Sequence, residues 1–502
     1  MSDQAYLIIA LILYFAVMIA IGLYAYRRTA DHEGYMLAGR NLPSWAAALS
    51  AGASDMSGWL MMGLPGAIYL AGLIEAWIAV GLTIGAYLNW RFVAPRLRSY
   101  TEVAKNSITI PSFFENRLHD RSRSLRIASG VIVLVFFTFY VASMMVAGGE
   151  FFLLAFDTEY LTGMFVVAGV TLLYTLLGGF LGASLTDVVQ GAMMLFALLI
   201  VPVIALFSLG GVGEAVAVID EVDPSRLSLF GGEALTAAAM VGIVSALAWG
   251  LGYFGQPHVI VRFMALRNPA AATAARRIGI GWMALSLLGA VVAGLAGVAY
   301  FNDTAHSLDN PEHVVLALSQ ILLHPLIVGF VFAAVLASIM STVSSQLIVS
   351  SSAFVEDIYQ VFGRKSSQRS LLVLGRVCVL VVAVVGVLLA LNPGGTILEL
   401  VAFAWAGFGA SFGPAILLSL FWRRLSSAGA LAGMVAGAAT VFLWSSFGPE
   451  VFGATLYEII PGFAANVLVA VVVSRLTFKD DAGITEEFDL AVEGARAQAG
   501  AR

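Results

Sequence analysis

Asp55 stands in the apolar stretch LSAGASDMSGWLMMGLPG, with Ser50, Ser54, Ser57, Gly52 and Gly58 around it and Pro65 beyond. Small residues, hydroxyls and a proline weaken a helix locally and release backbone carbonyls. One carboxylate among such oxygens is the chemistry a hard cation such as Na+ requires. A second interruption is SALAWGLGYFGQPHVI at residues 245–260, where Trp249, Tyr253 and Phe254 put aromatic faces beside Gly250, Gly252, Gly255 and Pro257. The glycines spell G-x-G-x-x-G, but no acidic residue lies near the ribose-binding spacing: the next after Gly255 is Asp303. A dinucleotide fingerprint is therefore rejected in favour of an unwound or kinked helix. The third is LASIMSTVSSQLIVSSS at 336–352, where Ser338, Ser341, Thr342 and Ser345 fall near one helix face and could offer hydroxyl oxygens to a cation or to Asp55. Each feature also has a packing explanation: a carboxylate bonded to a neighbouring helix, a proline kink, or hydroxyls bonded back to their own helix.

The elements that must hold these residues are membrane helices. Of 502 residues, 60% are hydrophobic and 11% charged, less than half the charge of an ordinary soluble domain. A helix crosses the hydrocarbon core in about 20 residues, and thirteen such segments are predicted: 5–26, 44–71, 74–95, 126–154, 160–181, 187–210, 235–257, 279–301, 320–351, 371–391, 396–422, 427–447 and 456–475. With the N-terminus outside, every Lys and Arg of the 26 except Arg226 falls on the inner side, as the positive-inside rule requires for an N-out, C-in chain. The first segment is read as a span rather than a signal peptide, because Arg27 and Arg28 follow it and no basic residue precedes it. The expected organisation is one transmembrane domain over 1–475, with a short, mobile cytoplasmic tail at 476–502 and no appended soluble domain.

Other chemistry is missing. The three lysines, Lys105, Lys365 and Lys479, do not follow glycine, so no Walker A motif exists. Cys378 is the one cysteine, and H-E-x-x-H does not occur. No second carboxylate is expected at the depth of Asp55, because Glu75, Asp187 and Glu399 fall near predicted span ends; this argues against an intramembrane enzyme. The charge balance leaves no nucleic-acid footprint. Energy for uphill work must then come from an ion gradient. The interrupted second and seventh spans are five apart, so spans two to six (about 40–210) and seven to eleven (about 235–422) would form inverted repeats with a site at their broken helices.

The stretches ALSAGASDMSGWLMMGLPGA, LLYTLLGGFLGAS, AWGLGYFGQPH, FNDTAHS, MSTVSSQL, AWAGFGASFGP and GALAGM resemble the sodium/solute symporter family, and the likeness runs to about residue 475. It implies an all-α integral membrane protein of about 13 helices with a five-plus-five, leucine-transporter-type inverted-repeat core. The implied activity is Na+-coupled uptake of L-proline by alternating access, across the bacterial cytoplasmic (inner) membrane and with no organic cofactor. Carried over by motif, Na+ would be held by Ala53, Met56, Ser338, Ser341 and Thr342, with Asp55 essential beside them. Proline would meet Ser57, Gly58, Tyr140, Trp249, Tyr253 and Pro257, and Arg40 and Asp187 would serve coupling and the inner ion route. Ser338 and Ser345 depart from the family's proline carriers, where alanine and cysteine are usual. Membrane lipid is the other implied partner. A symporter of another small organic solute, and a non-transporting membrane sensor with this fold, remain as alternatives from the sequence.

Overall fold

A computed structural model describes residues 3–28, 37–232, 234–304, 306–362, 367–392 and 394–500. Helix α1 (Asp3–Arg28) is followed by a second span in two pieces, α2 (Ser44–Asp55) and α3 (Leu64–Ala71), joined through a π-helical turn at Trp59–Gly63. The third span is α4 (Ala76–Leu88), which runs through another π turn into α5 (Ala94–Val103), and α6 (Ile110–Arg117) leads to the fourth, α7 (Ser124–Phe156). Helix α8 (Tyr160–Ser208) and the loop helix α9 (Val212–Val222) complete the first half. The second half opens with another broken span, α10 (Ala237–Gly252) and α11 (Pro257–Met264), then α12 (Ala271–Asp303), the short α13 (Val314–Leu322), α14 (Pro325–Ser352), α15 (Gln368–Ala390) and α16 (Ile397–Phe421). Helices α17 (Ser427–Phe447), α18 (Ile459–Thr477) and α19 (Ala482–Gly500) end the chain.

Among the described residues, eleven helical stretches are long and apolar enough to cross a membrane. Of the two expected spans that this leaves out, one is merged with its neighbour and the other, Tyr160–Leu173, is apolar but short. Trp59–Val103 counts as one stretch, yet the chain reverses within it at Gly72, whose φ is +81°. The loop of Arg226 closes over that reversal: its guanidinium donates to Tyr69 O at 2.6 Å. This gives the one outer arginine a structural task. Helix α8 has 49 residues, about 73 Å if straight. Its first residue, Tyr160, bonds Ala390 O at the outer end of α15, Gly182 faces Ala25 near the inner end of α1, and the far end meets the outer helix α9. The run therefore crosses twice, as spans 160–181 and 187–210 anticipate. Lipid-facing side chains are apolar; α15 exposes Val373, Val377, Leu380, Val381, Val384 and Leu388.

The contacts are two-fold related. The third span packs on the seventh, as the eighth packs on the second; the fourth packs on the eleventh, as the ninth packs on the sixth. Spans four and nine pack on each other. This is the arrangement that inverted five-helix repeats produce, and it brings the two broken spans together at the centre. The approach of the third and seventh spans depends on glycine: a Cβ on Gly85 would lie 2.1 Å from Gly250 O.

Three expectations are corrected. The tail is not a mobile segment: α19 packs along α5, with Ser99 Oγ donating to Ala491 O at 2.9 Å. Its polar sequence carries one buried aromatic, Phe488, which Arg96, Arg117 and Arg423 surround. The ninth span is longer than predicted, because a π-helical turn over Ala353–Tyr359 extends α14 to Asp357, which Arg126 and Thr109 hold at 2.9 Å each. Asp187, near the inner start of the span 187–210, is nevertheless fully buried, and Arg262, predicted to lie in an inner loop, is buried in α11 against it. A second buried carboxylate therefore exists, already paired with a cation.

Candidate functional site

The site is built where the two helix breaks meet. Helix α2 stops at Asp55 because Met56 leaves helical geometry, with φ −81° and ψ 84°. The chain then re-enters through the π turn that precedes Pro65, a device that accommodates the missing proline N–H and is frequent at functional sites. Helix α10 stops at Gly252, and Gln256-Pro257 starts α11 with proline at a first-turn position, where no donor is required.

Asp55 is fully buried. The Tyr253 hydroxyl, from the other break, donates to its Oδ2. His258 Nε2 lies 3.7 Å from Oδ1. The Asp55 backbone carbonyl accepts from Trp59 Nε1 at 3.1 Å and from the Tyr140 hydroxyl at 3.3 Å. Three spans thus converge on one residue, which compensates for burying a charge that would otherwise cost several kcal/mol or more. The aromatic wall continues outward: Trp249 packs 6.0 Å from Trp59 and stacks on Trp405 at 6.2 Å and Tyr457 at 5.6 Å. Trp405 Nε1 donates to Trp249 O at 2.8 Å, Asn89 holds Tyr253 O at 2.8 Å, and Gln256 Nε2 donates to Trp405 O at 3.1 Å, so the unwound segment is fixed by side chains.

The expected cation ligands lie on the other side of the α2 end. Ser341 Oγ, on α14, donates to Ala53 O at 2.8 Å and to Ser338 O at 3.0 Å, and Thr342 Oγ1 donates to Ser338 O at 3.2 Å. Two hydroxyls and two carbonyls from two helices, one residue pair away from a buried carboxylate, fit Na+ chemically. Met56 sits at the C-cap of the same helix end. The Ser338 hydroxyl turns away, to Val335 O at 2.7 Å, while its carbonyl faces the cluster. Ser338→Ala is therefore expected to leave the Na+ concentration for half-maximal uptake within about twofold of wild type, whereas Ser341→Ala raises it at least tenfold; Na+ titration of uptake measures both.

Ser57 and Gly58 are buried at the break, and Gly58 is pressed between Ala147 of α7 and Ile339 of α14. Pro257 borders an inner cavity lined also by Thr109, Pro111, Phe180, Ile348 and Asp357. Asp187 lies apart from Asp55, toward the inner side, where Ser50 Oγ donates to its Oδ2 at 2.6 Å. Arg40 is more distant still. Its guanidinium reaches Thr101 Oγ1 at 3.1 Å, Met264 O at 3.3 Å and Ser107 O at 2.7 Å, tying the entry to α2 to the inner end of α11. Sequence reasoning missed His258, Arg262, Gln256 and Trp405. His258 and Gln256 flank the quoted Pro257, and their polarity inside an apolar segment was the available signal.

An α-helical bundle with two broken helices crossing at a buried carboxylate and an oxygen cluster defines a secondary transporter. The family model for the sodium:solute symporter family matches residues 35–437, and the chain belongs to that family. The high-affinity proline transporter PutP of Bacillus subtilis is 53% identical over 94% of this chain and 98% of its own length. The osmoregulated proline transporter OpuE of the same organism is 51% identical over 94% and 95%. A sodium/proline symporter of Staphylococcus aureus is 48% identical over 97% and 95%. Among solved structures, a Na+-coupled sialic acid symporter in a substrate-bound outward-open state superposes with a TM-score of 0.78 at 19% identity, covering 94% of this chain and 98% of that one. Mhp1, a nucleobase-cation-symport-1 family transporter, gives 0.54 at 14% identity, with 91% and 98% covered. These two establish the fold, a leucine-transporter-type core.

Proposed function

We propose that the chain is a multi-pass carrier of the bacterial cytoplasmic (inner) membrane that couples inward Na+ flow to uptake of L-proline by alternating access. The observation that carries this reading is the junction of the two helix breaks, where Tyr253 bonds Asp55 one step from the Ala53, Ser341 and Thr342 oxygens. Relatives at 48–53% identity, all named as proline carriers, support the substrate. The chain is a transporter and not an enzyme.

Proline is a zwitterion with a compact apolar ring. Tyr140, Trp249 and Tyr253 supply aromatic faces for the ring and its ammonium. The start of the half-helix that follows Ser57 and Gly58 suits the carboxylate. Among the described residues, Ser57 Oγ, Gln256 Oε1 and the His258 ring nitrogens are buried there without a protein hydrogen bond, which fits a polar ligand at this place. Na+ on Ala53, Met56, Ser338, Ser341 and Thr342 would fix the α2 end against α14 and so complete the proline pocket, which is coupling by preorganisation. Arg40 and Asp187 act further in, on coupling and on the exit of the ion. One charge crossing 100 mV supplies about 2.3 kcal/mol, and tenfold accumulation needs about 1.4 kcal/mol, so a single Na+ per proline is sufficient.

Counterflow in proteoliposomes tests the substrate. Radiolabelled L-proline is expected to exchange, and excess pantothenate, sugars and short carboxylates are expected not to compete. Exchange of one of those solutes in place of proline would reassign the pocket.

A further inference from the structure

Arg262 is an unusual residue in this bundle: a fully buried guanidinium with every arm engaged. Nη2 donates to Asp187 Oδ2 at 3.1 Å and to Ser345 Oγ at 2.8 Å. Nε donates to Ser50 Oγ at 3.0 Å, and Nη1 to His258 O at 2.5 Å. The Phe180 ring lies 5.2 Å from the guanidinium carbon. Stripped of the arginine, the surroundings are one carboxylate, two hydroxyls and one carbonyl, all buried and carrying one negative charge. That oxygen set is the kind a hard monovalent cation takes.

Its position in the fold is equally specific. Ser50 lies three residues before Ala53 on α2, and Ser345 lies four residues after Ser341 on α14. The two hydroxyls of the cage therefore come from the same two helices as the Na+ cluster, about one helical turn, or roughly 5.4 Å, further in, while α8 and α11 add the carboxylate and the carbonyl. Asp187 Oδ1, the second carboxylate oxygen, is buried without a protein hydrogen bond. The guanidinium thus uses half of what the carboxylate offers, and an additional ligand for a small ion is already in place.

We propose that Arg262 is a resident cation filling a second cation position in the carrier, and that it thereby limits transport to one Na+ per solute. The proposal rests on the Na+-symport reading above. The tethered charge satisfies Asp187 and denies the cage to a second ion. A merely structural ion pair behaves differently: its removal loosens the packing of α11 on α8 but creates no ion site.

The test is the number of 22Na+ ions bound per chain by the purified full-length protein at saturation. Wild type is expected to bind one. Arg262→Ala, which vacates the cage and keeps its oxygens, is expected to bind two, and Arg262→Ala combined with Asp187→Asn returns to one. Arg262→Lys, which keeps a tethered charge, stays at one. In proteoliposomes the Na+ dependence of Arg262→Ala uptake should steepen, with a Hill coefficient rising from 1 toward 2. Should Arg262→Ala not fold, Arg262→Met, which replaces the stem with an apolar chain of similar length, carries the same expectation of two ions. Two ions on wild type, or one ion on both folded charge-removing variants, would overturn the proposal. No Na+ on wild type would instead overturn the symport reading on which it rests.

Discussion

Asp55→Asn abolishes Na+-stimulated proline uptake, with a loss of at least about 100-fold, or roughly 2.7 kcal/mol. The substitution keeps the size and one carbonyl oxygen. It removes the only negative charge that the two helix breaks share, at a place where the carboxylate is fully buried and bonded by Tyr253. A buried charge at such a point is retained for what it attracts, since as a packing element it is costly. The neutral amide leaves Na+ with only neutral oxygens from Ala53, Ser338, Ser341 and Thr342, and it weakens the attraction that draws the α2 end, α10 and the ion together. Asp55→Cys should behave alike. The measurement is initial uptake of radiolabelled proline with and without Na+, normalised to the amount of protein in the membrane. Normal uptake in either variant would remove Asp55 from the mechanism.

Tyr253 gives the second large effect, and two substitutions separate its roles. Tyr253→Phe deletes only the hydroxyl that donates to Asp55 and leaves the ring edge-on to Trp405 at 5.1 Å. The carboxylate loses its short-range donor, so the Na+ concentration for half-maximal uptake rises about tenfold, roughly 1.4 kcal/mol, while the proline KM changes less. Tyr253→Ala also removes the aromatic face. Truncating a buried aromatic costs about 3–5 kcal/mol in a packed site, and here much of that falls on the wall around the substrate, so the proline KM rises at least tenfold as well. Kinetics of uptake at varied Na+ and proline distinguish the two. A change in neither constant for both variants would move the pocket elsewhere.

Asp55, the breaks at spans two and seven, and the Ser341/Thr342 face were legible because each is a polar or helix-weakening feature inside an apolar run, where hydropathy and propensity disagree. The pairing of those breaks followed from counting spans. Arg262 and Asp187 were not legible as a pair. Each stands at the edge of an apolar window, so each alone resembles the end of a span; only the fold shows that they meet, at 3.1 Å and 75 residues apart in sequence. Trp59–Val103 shows the same limit from the other side, since apolar helical residues run on to both sides of the reversal at Gly72. The tail was misjudged because its composition is polar and acidic; one aromatic, Phe488, seated among three arginines, is enough to dock it. The Ser338 departure resolves in the geometry, its hydroxyl being turned back to Val335 and its carbonyl forward.

The central claim is that a Na+ gradient drives proline against its own gradient through this chain alone. Purified protein in proteoliposomes, loaded with proline on both sides and given Na+ outside only, tests it most directly. Inside proline should rise above outside proline, the rise should grow with an inside-negative potential, and it should collapse when Na+ is equal on both sides. Proline that equilibrates but never accumulates, whatever the Na+ gradient, would contradict the account.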